Sequence, residues 1–224
     1  MTMNTETEKV VGRLIDNLTP VKRLPSPTLR AAAWLALGIP YLALVVVVMS
    51  PRSNLAEKFS DAHFVIEQIA ALVTGLTAAV AAFATIVPGY DRRIAWLPFA
   101  PLAVWLASLG EGCLKILATI GFHNFSSDWF CLPAIVLVGT VPAIAMAVML
   151  RRGAPLTPKL TTAFGGLAAA GLGNFGLRLF HSQDSSLMIL VWQMGSVLLL
   201  TFLCGVAGRF LLRWRLVNSR NAAA

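Results

Sequence analysis

The side chains able to do chemistry in this 224-residue chain are of two kinds, thiols and charges set in apolar surroundings. Cys113, Cys131 and Cys204 offer thiol oxidation, disulfide exchange or soft-metal contact. Glu67, Glu111, Lys115 and Arg178 offer ion pairing: Glu111 and Lys115 stand at the i, i+4 spacing that stacks two side chains on one helix face, and Arg178 is expected to meet Glu67 or Glu111. His63, His123 and His181 are scattered, without the paired helical spacing of a metalloprotease. Three cysteines give neither a disulfide framework nor a zinc spacing. The run from Gly153 to Pro158 follows two arginines yet lacks the glycine and lysine pattern of a phosphate loop, and reads as a stiff turn. No catalytic constellation results. The chain reads as a non-enzyme without a cofactor or dedicated metal site, Cys131 being its soft-metal candidate.

The elements that must position these groups are membrane spans. Hydrophobic residues make up 57% of the chain and charged residues 12%, with a mean hydropathy of +0.75, against roughly a quarter charged in soluble domains. Six apolar runs approach the 20 or so residues that cross a hydrocarbon core as helix: Ala31 to Met49, Phe64 to Val87, Ala95 to Ile120, Phe130 to Leu150, Leu160 to Phe180 and Ser186 to Leu212. The fold class expected is therefore all-α, a six-helix transmembrane bundle over 31–213 with cytoplasmic tails at 1–30 and 214–224. Pro98 and Pro101 predict a kink or tilt in the third span. Ala71, Gly75 and Ala79 in span two, and Gly165, Ala169 and Gly173 in span five, are small-residue runs suited to close helix packing.

Orientation follows from the cations. With the N-terminus inside, fourteen of the eighteen basic residues face the cytoplasm, and only Arg52, Lys58, Lys115 and Arg178 lie toward the outside. This explains the net charge of +8 without nucleic acid, for which no soluble domain exists. The same topology gathers Glu67, Glu111, Lys115, Cys113, Cys131, Arg178 and His181 on the outer side. Ionisable groups within spans pair or line cavities, so an outward-facing polar pocket is expected; the same groups could equally fix helix register or snorkel to the interface.

One stretch is suited to water. Thr5 to Pro27 opens without the apolar core of a signal peptide, and Thr5 with Glu8 has capping-box spacing. Val10, Val11, Leu14, Ile15 and Leu18 recur at helical intervals, predicting a short amphipathic helix over about 6–18. Pro20, Pro25 and Pro27 then hold Val21, Lys22, Arg23 and Leu24 extended. As the one sizeable cytoplasmic element, this tail is the expected output arm, with the spans as anchor and sensor.

Taken together, these features resemble the NrsF-type membrane anti-sigma factors, six-span proteins of the bacterial inner membrane that hold an ECF sigma factor inactive. The resemblance is carried by Pro20 to Pro25, Trp34 to Gly38, Glu67, Asp128 to Leu132, Arg151 to Pro155 with Pro158, and His181 to Trp192, in that order and spacing. It implies that the N-terminal segment, Val10 to Leu24, binds the sigma factor, and that outward-facing cysteines sense metal or oxidative stress. Cys131 fits one such position. The second falls on Ser182, so a pairing of Cys131 with Cys113 would have to take its place. The mode expected is helix-in-groove, the apolar face of the tail helix seated on the sigma factor and Lys22 and Arg23 on acidic patches. The alternative is a small transporter or channel whose outer pocket binds solute.

Overall fold

The computed structural model describes residues 5–16, 24–120, 131–153 and 155–181, with further helical positions between 195 and 206. Regular structure among the described residues is helical throughout. α1 spans Thr5–Asp16, α2 Pro27–Met49, α3 Leu55–Phe59, α4 Ala62–Thr85, α5 Phe99–Ile120, α6 Cys131–Leu150 and α7 Pro158–Phe180. A 3₁₀ turn, Arg92–Trp96, precedes α5. The last expected span lies for the most part outside the described residues, with helical positions at 198–199 and 201–203.

Local chemistry explains where these helices begin. The Ser26 hydroxyl accepts from the amide of Leu29 at 3.3 Å and Pro27 occupies the first turn of α2, a position where its missing N–H costs nothing. Asp61 caps α4 through the amide of His63 at 3.0 Å. Pro98 falls in the break between the 3₁₀ turn and α5, and Pro101 in the first turn of α5, so the third expected span is interrupted near its start, where its prolines stand. Prolines interior to helices occur at Pro40 in α2 and Pro142 in α6.

Among the described residues, four helical stretches are long and apolar enough to cross a membrane: Pro27–Met49, Ala62–Thr85, Arg92–Glu111 and Pro133–Leu150. α7 has the length but a weaker apolar signal, because glycine replaces aliphatic side chains along it. Its place in the bundle gives the reason. Sixteen of its 23 residues are buried, and three of its faces meet three different helices. A Cβ at Gly171 would stand 2.8 Å from the Ala71 carbonyl oxygen of α4, one at Gly165 would stand 3.1 Å from Leu150 and Met146 of α6, and one at Gly176 would stand 2.8 Å from Leu42 of α2. A helix sheathed by protein has little lipid to match, so small residues that allow close approach serve it better than large apolar ones.

The small-residue runs therefore work differently from their spacing. Ala71 and Gly75 of α4 do form a seam, but they meet Ala168, Gly171 and Leu172, with the Gly75 Cβ position 3.1 Å from the Leu172 amide nitrogen. Gly165 and Gly173 turn the other way, toward α6, where Gly173 lies beside Gly139. Trp34, Phe83, Trp105, Met146 and Leu172 fill the core around this axis.

Candidate functional site

Two ends of the bundle hold the charged residues. At one end α4 begins, α7 finishes and the α2–α3 connection passes across them. The backbone amide of Arg52 donates to the Leu179 carbonyl at 3.1 Å, and the Arg52 Nε donates to Asn54 Oδ1 at 2.7 Å. His63 Nε2 lies 3.0 Å from the Ser108 carbonyl oxygen, joining α4 to α5.

Beneath this layer Arg178 Nη2 donates to Glu67 Oε2 at 2.9 Å, the side chains being 8% and 3% exposed. The guanidinium carbon also sits 5.4 Å from the centroid of Phe64, one turn before Glu67. Gln68 and Asn174 are buried beside this pair, and their amide groups have no hydrogen-bond partner among the described residues. Taking a carboxylate and a guanidinium out of water costs several kcal/mol per ion by general estimates, so each charge holds the other in place. Glu67, one of the two carboxylates expected to meet Arg178, does so. Glu111 lies on an exposed face of α5. Its stacking on Lys115 falls outside the described side chains, as do the side chains of Cys113 and Cys131, although all three backbones are helical. His181 ends α7, its amide donating to the Leu177 carbonyl at 2.9 Å, and Ser182 lies outside the described residues. Among the described residues no group of three His, Cys, Asp or Glu side chains is placed to hold a metal ion.

At the other end stand Arg30, Arg92, Arg93, Arg151, Arg152 and Lys159, where α2, α5 and α7 begin and α4 and α6 finish. There the last turn of α4 is tied to the first turn of α7 by Thr161 Oγ1 donating to Thr85 Oγ1 at 2.9 Å. Arg30 is the residue that sequence reasoning treated only as one cation among many. It is buried, its Nη2 donates to the Met149 carbonyl in the last turn of α6, and its guanidinium carbon lies 4.5 Å from the Phe83 centroid. A cation at a helix C-terminus meets the negative end of the macrodipole, which makes this a favourable seat. Trp34, one turn further along α2, donates Nε1 to the Pro142 carbonyl at 2.9 Å. The signal available in the sequence was an arginine inside the first apolar turn of a helix, where an idle charge would be costly.

Beyond Arg30, toward the N-terminus, comes the tail. α1 covers Thr5–Asp16, close to the expected helix. Val10, Val11, Leu14 and Ile15 share its apolar side and are all exposed, Leu14 at 64% and Ile15 at 59%. Leu24 is exposed as well. Leu18, Val21, Lys22 and Arg23 lie outside the described residues.

Four helical stretches of membrane-crossing length, a buried ion pair and a short N-terminal helix with exposed apolar side chains define an all-helical protein with apolar spans. The profile of the NrsF family, described as negative regulator of sigma F, matches residues 14–214, and this chain belongs to that family. It is 28% identical over 203 residues to the anti-sigma-F factor NrsF of Caulobacter vibrioides (strain NA1000 / CB15N), covering 85% of this chain and 91% of that protein. No solved structure matches it. The family is regulatory, and a sigma factor is the partner that its description implies.

Proposed function

We propose that this chain is an anti-sigma factor of the bacterial inner membrane that sequesters an ECF-type sigma factor through its N-terminal segment and releases it on an envelope signal, oxidative or metal stress. The observation that carries this reading is the exposed apolar side of α1, Val10, Val11, Leu14 and Ile15, on a chain of this family. An apolar helix face left in water is costly, and a groove on a partner relieves it. Residues 1–30 form the binding arm, with Leu18 completing the helical stripe and Val21, Lys22, Arg23 and Leu24 continuing in extended form. Residues 31–213 form a six-helix membrane domain, and 214–224 a second cytoplasmic tail.

Sidedness supports this arrangement. Six cations, Arg30 to Lys159, share the end of the bundle from which the tail departs, while among the described residues Arg52, Lys58 and Arg178 are at the opposite end, Arg52 and Arg178 within hydrogen bonds. By the positive-inside rule the first end, and with it both termini, faces the cytoplasm. Glu67, Glu111, Lys115, Arg178, His181, Cys113 and Cys131 then belong to the outward-facing sensing side. The transporter reading has no comparable support, since α4 and α7 close on each other at Gly75 and Gly171 just inward of the polar cluster.

The test is co-purification of the membrane-embedded protein with the ECF sigma factor produced alongside it. Leu14→Glu with Ile15→Glu should abolish retention, and Cys131→Ser should leave it intact while blunting release by oxidant or metal. Retention that survives both glutamates would sink the role assigned to α1, and unaltered release from Cys131→Ser would leave that cysteine a packing residue.

A further inference from the structure

A groove of about 810 Å³ opens along the first turns of α7, lined by Lys159, Leu160 and Ala163 on one side and by Leu198, Phe202 and Val206 on the other. Among the described residues its walls are mostly apolar. Polar character enters at Lys159, at the mouth, and at Thr201, whose hydroxyl has no hydrogen-bond partner among the described residues. Lys159 is exposed and stands at the end of the bundle that also holds Arg30, Arg92, Arg93, Arg151 and Arg152. Among the described residues of the bundle, the carboxylate at that end is Asp91, already engaged by the amide of Arg93 at 2.9 Å. Lys159 is thus the charged residue of the described lining, and the apolar residues of the groove continue from it along α7.

A cationic mouth continued by an apolar trough matches a molecule with an anionic head and a hydrocarbon tail. We propose that this groove is a binding site for an anionic phospholipid, the acyl chain lying against Leu160, Ala163, Leu198 and Phe202 and the phosphate at Lys159. Basic pockets between membrane helices on the cytoplasmic side take such headgroups for the same electrostatic reason. The start of α7 adds to the attraction, since Thr157 supplies no side-chain cap to its first turn. The site is separate from the sigma-factor surface on α1, so it stands or falls independently of that reading. A lipid seated here bridges α7 to the helical segment around residue 202.

Native mass spectrometry of the full-length protein, offered equal amounts of phosphatidylglycerol and phosphatidylcholine with the same acyl chains, tests this directly. The anionic lipid should be retained in preference to the neutral one. Lys159→Met should lower that preference about fivefold, the effect of one basic residue near a membrane surface, and Lys159→Arg should restore it. Ala163→Trp, which fills the trough, should reduce retention of both lipids. Equal retention of the two lipids by the unmodified protein would overturn the proposal, as would a preference untouched by Lys159→Met. A rise in retention of both lipids in Leu14→Glu would assign the groove to the apolar face of α1 and overturn it as well.

Discussion

Arg178 of α7 and Glu67 of α4 meet at 2.9 Å inside the bundle, 111 positions apart in the chain, and hold together the two helices that pack most extensively. Pairs of this kind contribute little when compared with apolar residues of equal size, yet breaking one partner leaves a charge stranded.

Glu67→Gln or Arg178→Met alone should therefore destabilise the membrane domain by about 3–5 kcal/mol, whereas Glu67→Leu combined with Arg178→Met should recover most of that loss. Denaturant unfolding in detergent micelles reads both. A double variant as unstable as the sum of the singles would mean that the two side chains act separately.

Arg30 makes a second prediction, at the opposite end. Arg30→Met keeps the aliphatic stem but removes the charged donor from the Met149 carbonyl, at a cost of about 1.5–3 kcal/mol. Arg30→Lys should recover only part of it, because an ammonium cannot both reach the carbonyl and lie flat over Phe83. Amide hydrogen exchange should quicken at the last turn of α6 and at the start of α2 together. Exchange that quickens in α2 alone would argue against the latch.

The seam between α4 and α7 supplies a third. Gly171→Ala would place a methyl group 2.8 Å from the Ala71 carbonyl oxygen and 2.9 Å from the Gly75 nitrogen, both backbone atoms that cannot rotate away. The helices must separate, at a cost of about 1–3 kcal/mol. Gly110→Ala, on α5 with nothing within 4 Å of the new methyl, should be neutral or stabilising by up to about 1 kcal/mol. Equal effects of the two substitutions, measured by thermal unfolding, would show that helix propensity and not close approach sets the glycine at 171.

Much of this architecture was legible locally. The first five apolar runs coincide with helices to within a few residues, and four of those helical stretches are long and apolar enough to cross a membrane, because length and composition are properties of each helix separately. A helix at Thr5–Asp16 was legible for a similar reason, since Val10, Val11, Leu14 and Ile15 recur at helical spacing within a few neighbouring residues. Rotation about the helix axis was not. Gly165, Ala169 and Gly173 were expected to pack closely, but α7 is enclosed on several sides and carries small residues on more than one face, so spacing could not say which face meets α4.

What the sequence alone determined is which segments form long apolar helices, and the uneven placement of cations along them, since hydropathy and charge are summed over neighbours in the chain. Only the tertiary structure decided that Arg178 meets Glu67, that Arg30 is buried against Met149 and Phe83, and that glycine-rich α7 packs against three other helices. Those outcomes depend on how helices far apart in sequence rotate against one another to bury charge and close their backbones, a competition among faces that no single helix can settle.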